Sequence, residues 1–315
     1  MLYILLAKPR GFCAGVKRAI DIAESALKHF SHPIYIKHEI VHNKRIVQDL
    51  IEKGIIFVES VDDIPNDSTV IFSAHGSPKN HYEKLAERNI QLIDATCPLV
   101  SKVHKMGNSY HAQGKEIIMI GHKKHVETIG TIGNIDQVIQ VVESVECVEN
   151  LVVKNPDNLS FITQTTLSLD DTSDIIAALR KKFPNIYGGE GGTGNTCYAT
   201  QNRQDAVKKM IKSGIELLIV IGSQSSSNSN RLAEIGTKNN IPSYLIDGKQ
   251  DIKLEWLTNI TKIGITAGAS AHETFVQEVI EYLSQNFETQ TQEIEGEDEN
   301  VVFFAPKIIR DLDKL

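Results

Sequence analysis

Three cysteines that lie far apart in the chain constrain its fold more than any other feature. Cys13, Cys97 and Cys197 are 84 and 100 residues apart, and each stands just before a stretch with the period of an amphipathic helix. Zinc knuckles and ferredoxin loops take their ligands from short C-x-x-C runs, so a shared centre here needs three chain segments to converge. Three thiolates leave one iron of a four-iron cluster open to a substrate. The spacing therefore predicts one metal centre at which chemistry occurs.

The composition excludes several classes of function. The 315 residues are 41% hydrophobic and 23% charged, as expected for a globular protein of about two or three domains. The net charge of −7 argues against broad binding of nucleic acid or of anionic membranes. The apolar opening Met1–Ala7 is short and has no basic leader, so it is predicted to be a strand and not a signal peptide. We therefore expect a cytoplasmic protein whose cysteines stay reduced.

The pattern of predicted elements repeats three times. Each repeat starts at a cysteine and runs through a helix, a strand, a polar loop, further strands and a second polar loop to the next cysteine. The third repeat has no closing strand of its own, and the N-terminal strand Leu2–Leu6 can supply it. Strands that alternate with helices predict parallel sheets. The predicted fold class is α/β, with three pseudo-symmetric modules of mainly parallel sheets around a central metal cluster.

The repeat also sets the predicted module boundaries. The first module is predicted over residues 14–96, the second over 97–193, and the third over 194–284 together with 1–13. The remaining residues, 285–315, are predicted to be a C-terminal linker and strand. Within them the polar stretch Gln285–Asn300 is expected to be a mobile linker, and Val301–Pro306 a late strand.

The polar loops that follow the predicted strands carry the candidate binding groups. Ligands of parallel α/β sheets bind beyond the carboxyl ends of the strands, so these loops should surround one cleft. Histidines, hydroxyls, amides and helix N-termini can hold a phosphate without a basic surface. The candidates are His42, His125 and Asn228 in the first loops, and His75, Thr165, Thr166 and Ser270 in the second loops.

One carboxylate, that of Glu127, joins these candidate groups, and it lies two residues after His125. A buried acid in an anion site is expected to have a raised pKa, which suits it to donate protons. Glu127 is therefore the predicted general acid.

Other features have plainer interpretations. Cys147 lies outside the repeat and is predicted to be a packed side chain. The serine-rich run 223–230 could be a flexible linker, but it follows an apolar strand and precedes a helical pattern, which favours an anion-binding helix start. The string Gly189–Gly194 fits G-x-G-x-x-G, yet no good strand precedes it, which argues against a dinucleotide site.

Seven sequence blocks together resemble the 4-hydroxy-3-methylbut-2-enyl diphosphate reductases, also called the LytB family. These enzymes catalyse the last step of the methylerythritol phosphate route to isoprenoids. The resemblance runs in order from residue 1 to about residue 310. The blocks are Pro9–Val16, His38–Asn43, Phe72–Gly76, Asp94–Val100, Gln164–Ser168, Cys197–Gln204 and Ser226–Leu232.

The resemblance implies a cofactor, a substrate and roles for named residues. One 4Fe-4S cluster would sit on Cys13, Cys97 and Cys197, and its fourth iron would bind the hydroxyl of the substrate. Glu127, together with Thr166, His125 and the diphosphate, would deliver protons while an external donor of the ferredoxin or flavodoxin type supplies two electrons. The products would be isopentenyl and dimethylallyl diphosphate, with no nucleic-acid or membrane partner. The implied substrate-binding residues are His42, His75, His125, Thr166, Ser226, Ser227, Asn228 and Ser270.

Some positions depart from the family pattern. Val126 stands where the family usually has proline between the histidine and the glutamate, and His272 stands at a second usual proline. Lys17 replaces a usual aspartate, and the glycine-rich stretch Gly188–Gly194 is atypical. None of these changes removes an implied ligand.

Two other functions are consistent with an open iron. One is an iron–sulfur sensor that binds a phosphorylated metabolite without turnover, against which the acid Glu127 argues. The other is a hydro-lyase that uses the iron as a Lewis acid. Dependence on a reductant separates the reductase from the hydro-lyase.

Overall fold

The structure is a computed structural model that describes residues 1–189 and 194–314. Strands and helices alternate along most of the chain. The strands are β1 Leu2–Leu6, β2 Ile34–Lys37, β3 Ile55–Val58, β4 Thr69–Phe72, β5 Gln91–Asp94, β6 Glu116–Ile120, β7 Gln140–Val142, β8 Leu159–Thr163, β9 Leu217–Ile221, β10 Ser243–Ile246, β11 Lys262–Ala267 and β12 Thr289–Glu293. The helices are α1 Ala14–His29, α2 Lys44–Glu52, α3 Lys79–Ala86, α4 Pro98–Ala112, α5 Val126–Ile132, α6 Val145–Glu149, α7 Leu169–Lys182, α8 Tyr198–Lys212, α9 Ser227–Lys238, α10 Glu273–Asn286 and α11 Lys307–Leu312.

The strands form three sheets, and every strand pair among the described residues is parallel. The sheet orders are β3-β2-β4-β5, β7-β6-β8 and β10-β9-β11-β1-β12. Strands such as β8 and β9 are buried along their whole length, as is usual where helices cover both faces of a parallel sheet. The predicted α/β class with parallel sheets is confirmed.

The three sheets share one strand plan. In each sheet the strand after the cysteine-led helix (β2, β6 or β9) lies between the next two strands of the sequence. The N-terminal strand β1 pairs with β11, with Ile4 opposite Ile263, and so closes the third sheet as predicted. In the second sheet the corresponding place is taken by a single parallel bridge between Ser160 and Tyr187.

The C-terminal stretch differs from its prediction. The expected linker contains β12, which pairs with β1 so that Leu2 lies opposite Thr289 and Leu6 opposite Glu293. Its Thr and Gln side chains point to solvent from an edge strand, and the open edge of β1 supplies the missing partner. The prediction of a late strand at Val301–Pro306 was also wrong, because that segment has no regular structure and leads into α11.

Contacts divide the chain into two compact units. Unit 1 consists of Met1–Ala14, His42–Lys44 and Tyr198–Val302. Unit 2 consists of Gly15–Val41, Arg45–Cys197 and Phe303–Leu315. The predicted module boundaries stay a prediction.

Two further points concern the described residues. Their helices include none with the length and apolar character needed to cross a bilayer. The G-x-G-x-x-G string falls largely on residues 190–193, outside the described residues.

Candidate active site

Each predicted cluster cysteine occupies the same place in its own sheet. Its backbone N–H donates to a carbonyl two residues past the end of a neighbouring strand, and a helix begins at the next residue. The thiols are partly exposed, and none is in a disulfide. The three bonds are Cys13 N to Ala269 O (3.2 Å), Cys97 N to Ala74 O (2.9 Å) and Cys197 N to Thr165 O (3.0 Å).

The donor set fits an iron–sulfur cluster. Three partly exposed thiols are the soft ligands that iron–sulfur clusters prefer, and each comes from a separate segment of the chain, as the spacing predicted. Cys147 has no such place, because it lies within the short helix α6 and its Sγ is 3.6 Å from the hydroxyl of Ser144. It also packs against the core of the second sheet, in agreement with its predicted role.

In unit 2, Glu127 is a buried acid with a defined partner. The residue is 3% exposed and lies in the first turn of α5, where its backbone N–H donates to His125 Nδ1 (3.2 Å). Its carboxylate oxygens accept hydrogen bonds from Thr165 N (2.6 Å) and Thr165 Oγ1 (3.0 Å). Burial raises the pKa of Glu127 to about 7, although the bonds from Thr165 act in the opposite direction. The carboxyl group can therefore carry a proton near neutral pH, as expected.

Two hydrogen bonds of the Glu127 carboxylate come from Thr165, whereas the resemblance assigns the role beside this acid to Thr166. Thr166 Oγ1 accepts a hydrogen bond from Gln164 Nε2 (2.9 Å), and its implied role with Glu127 in proton delivery stays a prediction. Both threonines lie in the turn that follows β8. Thr165 was among the loop candidates but had no stated role with the acid.

Two predicted histidines of unit 2 lie close together. The rings of His75 and His125 meet edge to face with centroids 6.3 Å apart. His75 also contacts the ring of His38 at 5.9 Å, and its Nδ1 is 3.3 Å from Ser73 Oγ. His38 had no predicted role. The signal for it is its position directly after β2, in the same polar loop as His42.

In unit 1, the serine-rich run begins the helix α9 and is not a linker. Ser226 is the N-cap, and its Oγ accepts from Ser229 N (3.3 Å) and Ser229 Oγ (3.0 Å). Ser227 and Asn228 follow in the first turn. Asn228 is 4% exposed, and neither atom of its side-chain amide has a hydrogen-bond partner among the described residues. A buried unpaired amide is costly, so this position suits a polar ligand.

The remaining predicted residues of unit 1 are held by one loop. Ser270 Oγ donates to the carbonyl of His42 (2.9 Å), and Asn43 Nδ2 donates to the carbonyl of Ser270 (2.6 Å). The preceding residue, Ala269, accepts from Cys13. Sequence reasoning gave no role to Asn43, although it ends one of the family-like blocks and is a buried amide directly after a candidate histidine.

The candidate residues divide between the two units. All of them lie at or near the start of a helix or directly after a strand, as predicted. Unit 1 holds Cys13, His42, Ser226, Ser227, Asn228 and Ser270, and unit 2 holds Cys97, Cys197, His75, His125, Glu127 and Thr166.

Three parallel sheets that each present one cysteine, with a buried acid that carries a proton near neutral pH, define the scaffold of an α/β redox enzyme. A sequence profile described as LytB protein matches residues 4–284. The chain therefore belongs to the LytB family and is an oxidoreductase.

Similar proteins support the same assignment over nearly the whole chain. A protein of Ectopseudomonas mendocina named 4-hydroxy-3-methylbut-2-enyl diphosphate reductase is 50% identical over 313 residues, which are 98% of this chain and 99% of that protein. One of Shewanella oneidensis with the same name is 49% identical over 312 residues, 98% of this chain and 97% of that protein. The solved structure of the E-1-hydroxy-2-methyl-but-2-enyl-4-diphosphate reductase from Plasmodium falciparum has a TM-score of 0.94 and 39% identity, covering 99% of this chain and 98% of that one.

Proposed function

We propose that this chain reductively removes the hydroxyl group of 4-hydroxy-3-methylbut-2-enyl diphosphate. Two electrons and two protons break the carbon–oxygen bond, the oxygen leaves as water, and the products are isopentenyl and dimethylallyl diphosphate. This is the last step of the methylerythritol phosphate pathway. The alignments with this chain cover 97–99% of the length of two relatives, and the names of those relatives support this substrate.

Cys13, Cys97 and Cys197 would hold one 4Fe-4S cluster. When bound, the cluster supplies the electrons and an open iron for the hydroxyl group of the substrate. The support in this chain is that all three cysteines have the same backbone hydrogen bond beside the end of a strand. A cysteine that serves only to fill a core needs no such equivalence.

The observation that carries the proposal is the position of Thr165 in unit 2. Its carbonyl accepts the N–H of Cys197, while its own N–H and hydroxyl donate to Glu127. One residue thus joins a proposed cluster ligand to a buried acid with a pKa of about 7. A proton held on Glu127 is available beside the place where the bond is broken, and Thr165 Oγ1 orients the carboxyl group that holds it.

The diphosphate would be bound by the histidines, hydroxyls and amide of the loops: His42, His75, His125, Thr166, Ser226, Ser227, Asn228 and Ser270. The amide of Asn228, buried and unpaired among the described residues, is the clearest single place for a phosphate oxygen. The N-terminus of α9, capped by Ser226, adds backbone N–H groups at the same point.

The partners follow from the reaction. An external one-electron donor of the ferredoxin or flavodoxin type would supply the electrons. The net charge of −7 does not favour a nucleic-acid partner, and the reduced cysteines suit the cytoplasm.

The test is turnover by the anaerobically purified chain with the substrate and a reduced viologen dye. We expect both isoprenoid diphosphates, detected by mass spectrometry, and none when the reductant is omitted. Conversion without reductant would indicate a hydro-lyase. Tight binding of the diphosphate without conversion, in a sample with a full cluster, would indicate a sensor.

A further inference from the structure

Two arginines hold the loops that carry two of the three cysteines. Each arginine lies on the helix that follows one cysteine, and each binds a main-chain carbonyl two residues before a different cysteine. Each also binds the C-terminal stretch of the chain. The two are Arg203 on α8 in unit 1 and Arg18 on α1 in unit 2.

Arg203 is fully buried and uses all three of its guanidinium nitrogens. Nε and Nη2 donate to the carbonyl of Gly11 at 3.0 and 2.7 Å, and Nη1 donates to the carbonyl of Ala199 at 2.8 Å. The carboxylate of Glu299 accepts from Nη1 and Nη2 at 3.0 to 3.2 Å. Glu299 therefore neutralises a charge that would otherwise be buried without a counter-ion. The pair of Arg203 and Glu299 fixes the loop at Gly11, two residues before Cys13.

The Gly11 loop has little freedom of its own. Gly11 has φ +68°, and a Cβ there would lie 3.1 Å from the carbonyl of Ala271. Its N–H donates to Ala267 and that of Cys13 to Ala269. The two bonds from Arg203 complete the set by fixing the carbonyl of Gly11, so loss of Arg203 or of its counter-ion should release this segment.

Arg18 has the matching arrangement in unit 2. Its Nη1 donates to the carbonyls of Ala95 (3.1 Å) and Thr96 (3.0 Å), directly before Cys97. Its Nε donates to the carbonyl of Phe304 (2.8 Å). The residue two before Cys197 is Asn195, which contacts Met106 Sδ through its side chain at 3.8 Å, and no arginine hydrogen bond to it is found among the described residues. Cys197 is therefore an internal control.

We propose that Arg203, held by Glu299, and Arg18, held by the carbonyl of Phe304, are positioning residues for the Cys13 and Cys97 loops respectively. Glu299 and the carbonyl of Phe304 thereby help to hold the two cysteine loops, a role that the acidic, linker-like sequence of this stretch does not suggest. The inference rests on the proposed function for the meaning of the cysteines as cluster ligands. The hydrogen bonds on which it is built do not depend on that function.

The test measures each thiol separately in the cluster-free protein. Timed alkylation with iodoacetamide, read by peptide mass spectrometry, gives one rate for each cysteine. Glu299→Ala should raise the rate of Cys13 by roughly tenfold, as expected for loss of a hydrogen-bonded charge pair, and leave Cys97 and Cys197 unchanged. Arg18→Lys keeps the positive charge but loses the planar guanidinium group and its fixed N–H donors. It should raise the alkylation rate of Cys97 alone.

The controls are the exposed neighbours of these residues. Glu297→Ala removes a nearby tail carboxylate that is exposed, and Lys17→Ala removes the exposed cation beside Arg18. Glu299→Asp keeps the carboxylate and should restore most of the protection of Cys13. Unchanged Cys13 and Cys97 rates, or an equal rise of all three rates, would overturn the proposal.

The protein with its cluster gives a second readout. Loss of visible absorption in the presence of an iron chelator should be faster in Glu299→Ala and Arg18→Lys than in the two controls. An unaltered rate would overturn a role in holding the cluster. Absence of iron from the parent protein would instead overturn the proposed function, and the alkylation pattern would still decide the positioning of the loops.

Discussion

Thr165 donates two hydrogen bonds to Glu127, one from its backbone N–H at 2.6 Å and one from its hydroxyl at 3.0 Å. Both carboxylate oxygens are thereby fixed in a site that is 3% exposed. The two bonds orient the acid, while burial outweighs their opposite effect on its pKa and raises that pKa to about 7. The carboxyl group is therefore placed and tuned for proton transfer.

The first prediction concerns the acid itself. Glu127→Gln keeps the shape of the side chain but cannot donate a carboxylic proton, so turnover should fall by roughly 10²-fold or more. Binding should persist, which a substrate-induced change in the cluster spectrum would show. An undiminished rate would move the proton source to another group, such as His125 or the diphosphate.

The second prediction separates the two neighbouring threonines. Thr165→Val removes the hydroxyl bond to Glu127 but keeps the backbone bond, so the rate should fall by roughly tenfold, as for loss of a hydrogen bond to a charged group. Thr165→Ser keeps the hydroxyl and is the matched control, which should retain most of the rate. Thr166→Val is measured beside both, since Thr166 has a proposed role in binding and proton delivery. An undiminished rate in Thr165→Val would contradict a role of this hydroxyl in placing Glu127.

The third prediction is the pH dependence of Glu127. Its pKa is raised from 4.5 to about 7, so the folded protein binds the additional proton between these values and the neutral form predominates below pH 7. The contribution of this group to stability is therefore present at low pH and is lost as the pH rises through that window. Activity that depends on the protonated acid should fall about tenfold per pH unit above 7.

Infrared difference spectra of the cluster-free protein provide the direct check. The band of the protonated carboxyl group that is missing in Glu127→Gln should disappear with a midpoint near pH 7. A midpoint near 4.5 would mean that the side chain is solvated in solution.

The fourth prediction concerns the diphosphate. Asn228→Ala removes a buried amide that has no partner among the described residues, so the protein should fold normally and bind the diphosphate about 1.5–3 kcal/mol more weakly. Asn239→Ala, at the far end of the same helix, should bind as the parent does. Isothermal titration with the substrate under anaerobic conditions measures both. Equal affinities would place the phosphates elsewhere.

Much of the fold could be predicted because the repeat constrains it strongly. The strand β9 is a short apolar run rich in β-branched residues, which favours a buried strand, and its sheet lacked a fourth strand that β1 could supply. The strand β12 could not be predicted from its letters, since Thr289–Glu293 is polar and exposed and forms only because β1 offers an open edge.

The candidate site likewise contains residues that could be predicted from the sequence and residues that could not. Cys13 and Cys97 could be predicted from their matched positions, whereas Arg18 and Arg203 carry no local signal because the carbonyls they bind are distant in sequence. The choice of Thr165 as the hydrogen-bond donor to Glu127 depends on the conformation of the turn that contains both threonines. That choice is set by the backbone after β8, and the two residue letters are identical.

The central claim is that Cys13, Cys97 and Cys197 together hold one four-iron cluster with an open iron. The most direct measurement is Mössbauer spectroscopy of anaerobically purified, iron-57-labelled protein, with and without substrate. We expect one 4Fe-4S cluster in which a single iron responds to the substrate, its loss or degradation when any of these three cysteines is replaced by serine, and no change in Cys147→Ser. Stoichiometric zinc without iron or sulfide, or an intact cluster in a Cys13→Ser, Cys97→Ser or Cys197→Ser variant, would contradict the claim.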